Sequence, residues 1–181
     1  MLPEVEQLLR STIRQIPDWP IQGVTFQDLT GLMAHGAAFG SAIAELDARL
    51  GQTPIDEVVG IEARGFPYGA ALAQVRGAGF VTVRKPGKLP GAVHAQDYAL
   101  EYGTATLELH QDALGPGRQV AIVDDVLATG GTAAACIDLV RRTGADVRAL
   151  LVIMEIDGLG GRELCSVRDV PVVSLLSSAT L

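Results

Sequence analysis

Cysteine, histidine and aromatic residues are scarce in this chain. Two cysteines, three histidines and an aromatic content of 4% among 181 residues leave no material for a disulfide framework or a histidine-rich metal centre. Cys136 falls on an apolar stripe with Leu139 and Val140, the setting of a buried, reduced thiol. His35, His94 and His110 lack metal-ligand spacing, which argues against zinc. Positive charge is also in short supply. Fourteen Lys and Arg against 21 Asp and Glu give a net charge of −7, which argues against nucleic-acid and anionic-membrane partners. An anionic ligand must then be held by local cations. No apolar run approaches the ~18 residues of a membrane span, and the start MLPEVEQLLR carries acids where a signal peptide is basic and then apolar. A cytoplasmic location is expected. Repeats, low-complexity tracts and flexible linkers are absent, so residues 1–181 read as one domain, with a small N-terminal portion, 1–30, set against a core of 31–181.

The chain is organised around VAIVDDVLATGGTAAA, Val120 to Ala135. Val120–Val123 is a continuous apolar run of the kind a strand buried on both faces requires, and Asp124 and Asp125 follow at once. The strand is therefore expected to end on an acidic lip. Ala128, Thr129, Gly130, Gly131 and Thr132 come next, then a helix from about Ala133. Glycines permit a tight turn, and successive N–H groups with the helix's unpaired first turn form an anion nest. Carboxylates beside such a nest would repel an isolated phosphate. They suit a sugar phosphate, whose phosphate takes the nest and the hydroxyls of Thr129 and Thr132 while vicinal ribose hydroxyls donate to Asp124 and Asp125. The P-loop lysine and a G-x-G-x-x-G fingerprint are both missing.

Along the rest of the chain, Pro3–Ile13 has helical spacing and His35–Leu50 reads as a second helix stopped by Gly51. Between them, Gly23–Asp28 is extended and carries Phe26, either core filler or a flat surface for a ring. Glu57–Ile61 and Gly79–Val83 read as strands. Glu62-Ala63-Arg64-Gly65-Phe66 follows the first of them, and Gly69–Val75 reads as the next helix; this makes Arg64 a candidate anion clamp at the carboxyl end of a strand. Arg84, Lys85 and Lys88 stand among two prolines and two glycines, a basic loop long enough to move. Asp97–Tyr102 and Thr104–Leu109 alternate around Gly103 like hairpin arms, and with the basic loop could form a flap over the site. Val147–Met154 and Val170–Leu175 supply the last strands. Alternating buried strands and helices indicate an α/β fold with a mostly parallel sheet.

Asp124-Asp125 followed by the Thr-Gly-Gly-Thr loop resembles the phosphoribosyl pyrophosphate (PRPP) signature of the type I phosphoribosyltransferases. Gly23–Phe26, Glu62–Phe66, Val83–Gly91 and Tyr98–Gly103 extend the resemblance end to end, to the adenine phosphoribosyltransferase family. It implies the type I phosphoribosyltransferase fold, a mostly parallel central sheet flanked by helices, with the N-terminal portion as a hood and a flexible hairpin flap at about 84–109. It further implies a homodimer, Mg2+, and conversion of adenine and PRPP to AMP and pyrophosphate in purine salvage. Arg64, Lys85 and Lys88 would then stabilise the departing pyrophosphate, and Asp124, Asp125 and Ala128–Thr132 would hold the ribose phosphate. Magnesium would reach the site on PRPP, with Asp124 and Asp125 as its nearest protein carboxylates.

Val24, Phe26 and Gln27 would contact adenine, and Glu101 would be the carboxylate facing N7 of the base. Relatives that use 6-oxopurines place an acid in the loop where this chain has Ala128, which favours a 6-amino base. Gln27 departs from the arginine that many members carry. A phosphoribosyltransferase for another purine is one alternative reading. The other is a non-catalytic PRPP-sensing regulator, disfavoured by the retained Lys85, Lys88 and Glu101.

Overall fold

The computed structural model describes residues 1–19, 21–99 and 103–178. Its order is α1 (Pro3–Ser11), β1 (Arg14–Ile16), β2 (Phe26–Asp28), α2 (Thr30–Ala34), α3 (Gly36–Leu50), β3 (Glu57–Ile61), α4 (Gly65–Arg76), β4 (Gly79–Val83), β5 (Val93–Ala99), β6 (Thr104–His110), β7 (Gln119–Leu127), α5 (Gly131–Arg142), β8 (Asp146–Ile156), α6 (Gly161–Ser166) and β9 (Val172–Ser178). β4, β3, β7, β8 and β9 form, in that spatial order, a wholly parallel five-stranded sheet. Two antiparallel ribbons, β1–β2 and β5–β6, stand apart from it.

The continuous apolar run of β7 has a direct cause. Val120 and Ile122 point into one core layer, with Val59, Ile61 and the α5 residues Cys136, Ile137 and Val140. Ala121 and Val123 point into the opposite layer, with Leu46 of α3 and Tyr68 and Leu72 of α4. Alternate residues of a strand face opposite sides, so a strand covered on both sides must be apolar throughout. Helix ends follow local rules. Pro3 opens α1, with Glu4 and Glu6 in its first turn and Arg10 in its last, which suits the helix dipole. α4 stops at Gly77, whose φ of 65° is left-handed.

Strand order places the site. After β3 the chain crosses to β4 on one side; after the β5–β6 hairpin it returns as β7 on the other side of β3. The carboxyl ends of β3 and β7 therefore flank a reversal of winding, where open α/β sheets form a crevice. One sequence expectation is corrected here. β7 does not end on its acids: the β3 ladder stops at Gly60 opposite Val123, but β7 runs on to Leu127 against β8, pairing Asp124 with Val152 and Leu127 with Glu155. Asp124 and Asp125 thus sit inside the strand, where it has lost its neighbour on one side.

Candidate active site

Above that crevice lies a cavity of about 800 Å³. Its walls include Arg64 and Lys85, the pair Asp124 and Asp125, all of Ala128–Thr132, and Val24, Phe26 and Gln27 from the N-terminal ribbon. Most of the expected site residues, read from segments over a hundred positions apart, are thus brought to one place. Two are not among them. Lys88 does not line the cavity, and Glu101 lies outside the described residues. Tyr98, Leu159 and Glu62, which the sequence did not single out, also line it.

The Ala128–Thr132 loop is held from below. Gly130 has φ 84°, and a Cβ there would stand 2.8 Å from the Cα of Gly161. A Cβ on Gly161 would come within 2.3 Å of the Ala128 carbonyl oxygen. The two glycines let the loop and the start of α6 touch backbone to backbone. α5 begins at Gly131, so its first N–H groups, lacking intrahelical acceptors, are available at the cavity.

Arg64 caps the start of α4 and its Nε donates to Asp125 Oδ2. Gly65 makes this approach possible, since a Cβ on it would meet the Val123 carbonyl oxygen at 2.4 Å. The Arg64 guanidinium also lies 5.4 Å from the centroid of the Phe26 ring, within cation–π range. Trp19 meets that ring edge-on at 4.4 Å. Burial first, and the charge of Asp125 second, push the Asp124 carboxyl well above its usual range.

Glu62, at the end of β3, gathers the basic loop. It accepts from Lys88 Nζ at 2.8 Å, from the Lys85 N–H at 2.9 Å and from Arg84 Nε at 3.2 Å. Arg84 also lies 5.8 Å from the Phe66 ring centroid. Burial alone would raise the Glu62 carboxyl; Lys88, the Lys85 amide and Arg84 outweigh it and hold it at about 2. A depressed carboxyl contributes stability that is complete above its unfolded value, 4.5, and is lost as pH falls toward about 2. Glu62→Gln should therefore lower stability near neutrality by about 1–2 kcal/mol. The gap from the parent should narrow below pH 4.5 in denaturant titrations run at stepped pH. A gap of equal size at neutral and strongly acidic pH would show that the tether does not act through this carboxylate.

The hairpin rests on α5. Arg142 Nη1 donates to the Ala95 carbonyl at 2.7 Å and its other amino group to the Gln96 side chain. Leu107 and Leu109 of β6 are fully buried in the core layer beneath. Among the described residues, no group of three or more His, Cys, Asp or Glu is arranged to hold a metal ion, and no helix is long and apolar enough to cross a membrane.

Comparison with known proteins agrees with this geometry. The model of the phosphoribosyl transferase domain matches residues 29–167. The adenine phosphoribosyltransferase of Streptomyces clavuligerus is 54% identical over 87% of this chain and 88% of its own. The crystal structure of adenine phosphoribosyltransferase from Thermoanaerobacter pseudethanolicus superposes with a TM-score of 0.91 at 41% identity, covering 96% of this chain and 99% of that one. The Saccharomyces cerevisiae enzyme, solved with adenine and an imino-altritol bisphosphate, gives 0.90 at 37% identity, covering 97% and 100%. This chain belongs to the phosphoribosyl transferase family and, within it, to the adenine phosphoribosyltransferases.

Proposed function

We propose that the cavity transfers the 5-phosphoribosyl group of PRPP to N9 of adenine, giving AMP and pyrophosphate, with the residue roles that follow. One observation carries the assignment of roles: a phosphate-loop backbone, an acidic pair, Arg64 and Lys85, and the hood residues Val24, Phe26 and Gln27 line a single cavity. Ala128–Thr132 takes the 5-phosphate, and Asp125, with Asp124 behind it, accepts from the ribose hydroxyls. Arg64 then exchanges Asp125 for the pyrophosphate. As the C1–O bond breaks, negative charge grows on that leaving group, and Arg64 and Lys85 lower the barrier by being aimed at it. Lys88 joins them by leaving Glu62, which returns it when pyrophosphate departs. Glu101 accepts a hydrogen bond from N7–H, favouring the tautomer whose N9 lone pair is free, and takes that proton as N9 bonds to C1.

Magnesium suits a site of this kind. The carboxylates of Asp124 and Asp125, which line the cavity, would hold the ion together with oxygens of PRPP. Bound there, it would neutralise charge on the pyrophosphate. The free, buried thiols Cys136 and Cys165 fit a reducing compartment such as the cytoplasm. The homodimer implied by family membership is checked by light scattering.

The direct test is pyrophosphate release from PRPP and adenine, with magnesium and then with a chelator in excess. Turnover is expected only with the metal. Activity that survives full chelation removes magnesium from the scheme, and absence of AMP removes the roles above.

A further inference from the structure

Tyr68 is fully buried, yet its hydroxyl has no hydrogen-bond partner among the described residues. Buried polar groups in folded proteins nearly always have one. The ring is held by packing, 5.5 Å from the Phe39 ring of α3 between centroids and within the core layer beneath α3 and α4. A phenylalanine would fill that place as well, so the hydroxyl is left over. Tyr68 stands one turn after Arg64, and residues four apart share a helix face. α4 begins against β7, where a Cβ on Gly65 would stand 3.2 Å from the Asp124 Cα, and a helical tyrosine leans toward the N-terminal end of its helix. Asp125 lies two positions beyond Val123, which points into the same layer as Tyr68. Both charges are felt at the phenol: burial first and Asp125 second push it up, and Arg64 draws it down. It therefore keeps its proton and can donate.

Both Asp125 oxygens are engaged in this structure, Oδ2 by Arg64 and Oδ1 by the Val126 N–H at 2.9 Å. The Arg64 side chain is 45% exposed and can turn; that of Asp125 is 5% exposed and cannot follow. When Arg64 turns to pyrophosphate, Asp125 keeps a buried charge whose Oδ2 has lost its donor, a costly state unless another donor replaces it. We propose that Tyr68 is a positioning residue for phosphoribosyl transfer: its hydroxyl donates to Asp125 when Arg64 leaves, and holds that carboxylate charged and aimed at the ribose. The exchange moves a hydrogen bond and transfers no proton.

The proposal rests on the reading above, in which Arg64 changes partner, and a stability cycle separates the two. Thermal unfolding of the ligand-free protein is measured for the parent, Tyr68→Phe, Arg64→Ala and the double variant, and steady-state kinetics for the parent and Tyr68→Phe. Tyr68→Phe alone should leave Tm unchanged or higher, because the hydroxyl it removes has no partner among the described residues. In the Arg64→Ala background Asp125 has already lost its donor and the hydroxyl takes its place, so the same change should lower Tm by at least ~3 °C. A hydroxyl with only a structural role moves Tm equally in both backgrounds, and that result overturns the proposal. With Arg64 in place, Tyr68→Phe should lower kcat/KM for PRPP ~10-fold or more, the worth of a hydrogen bond to a charged group, while the KM for adenine holds. Unchanged PRPP kinetics beside a Tm loss confined to the Arg64→Ala background would keep the hydroxyl's bond to Asp125 and overturn the exchange of Arg64 instead.

Discussion

Glu101→Ala is expected to lower kcat with adenine by ~10²–10⁴-fold, the range for loss of a positioned general acid or base, with little change in the KM for PRPP. The asymmetry follows from what each ligand needs. On the roles proposed above, PRPP is held by a loop, an acidic pair and cations that line the same cavity. Adenine must present a lone pair at N9, and its common tautomer carries the proton there. Only a group that accepts from N7–H shifts that balance, and among the residues carried by the family resemblance that group is Glu101. Tyr98, three positions earlier on β5, lines the cavity, so this part of the chain reaches the site. Steady-state rates over a matrix of both substrates check the point. A variant with unimpaired kcat removes Glu101 from the chemistry, and one that loses PRPP affinity as steeply as turnover makes it a binding residue.

Much of this arrangement was legible in residue order because local chemistry dictated it. β3 and β4 occupy the positions expected, since each is a short apolar run closed by charge or glycine. The loop Ala128–Thr132 was legible for a different reason: a turn of glycines and hydroxyls before a helix has few uses other than binding anions. What escaped notice depends on distant partners. Asp124 and Asp125 looked like the end of a strand because adjacent acids rarely belong inside one. They belong here because β8 continues past the end of β3 and Arg64 arrives from α4. Lys88 reads in the sequence as a loop cation aimed at pyrophosphate, and nothing near it signals its tether to Glu62, 26 positions away. α2 and α6 are short enough that no period of apolar residues marks them. The hairpin, read as a flap, is anchored through Leu107 and Leu109 in the core, because the apolar face of β6 packs under α5.

The contact between Gly130 and Gly161 concerns the phosphate end of the same cavity, and it yields a prediction of comparable size. Gly130→Ala should reduce kcat/KM for PRPP at least ~10²-fold, the loss that misplacement by about 1 Å can produce. Two costs add. A side chain at φ 84° is strained by ~1–2 kcal/mol. The new Cβ would also press on Gly161 backbone atoms at 2.8 and 2.9 Å, neither of which is a flexible end that can swing aside. Overpacking of this kind costs ~1–3 kcal/mol, and it is relieved by moving the loop away from α6, which displaces the N–H groups that meet the phosphate. Gly117→Ala separates strain from position. Gly117 has φ 77°, nothing lies within 4 Å of its would-be Cβ, and it stands before β7 rather than after it. Both variants should lose stability in thermal unfolding, but only Gly130→Ala should lose PRPP utilisation, seen as a raised KM for PRPP with the KM for adenine little changed. Equal kinetic losses in the two would mean that the loop's seat on Gly161 has no part in holding the phosphate, and that backbone strain alone accounts for the damage.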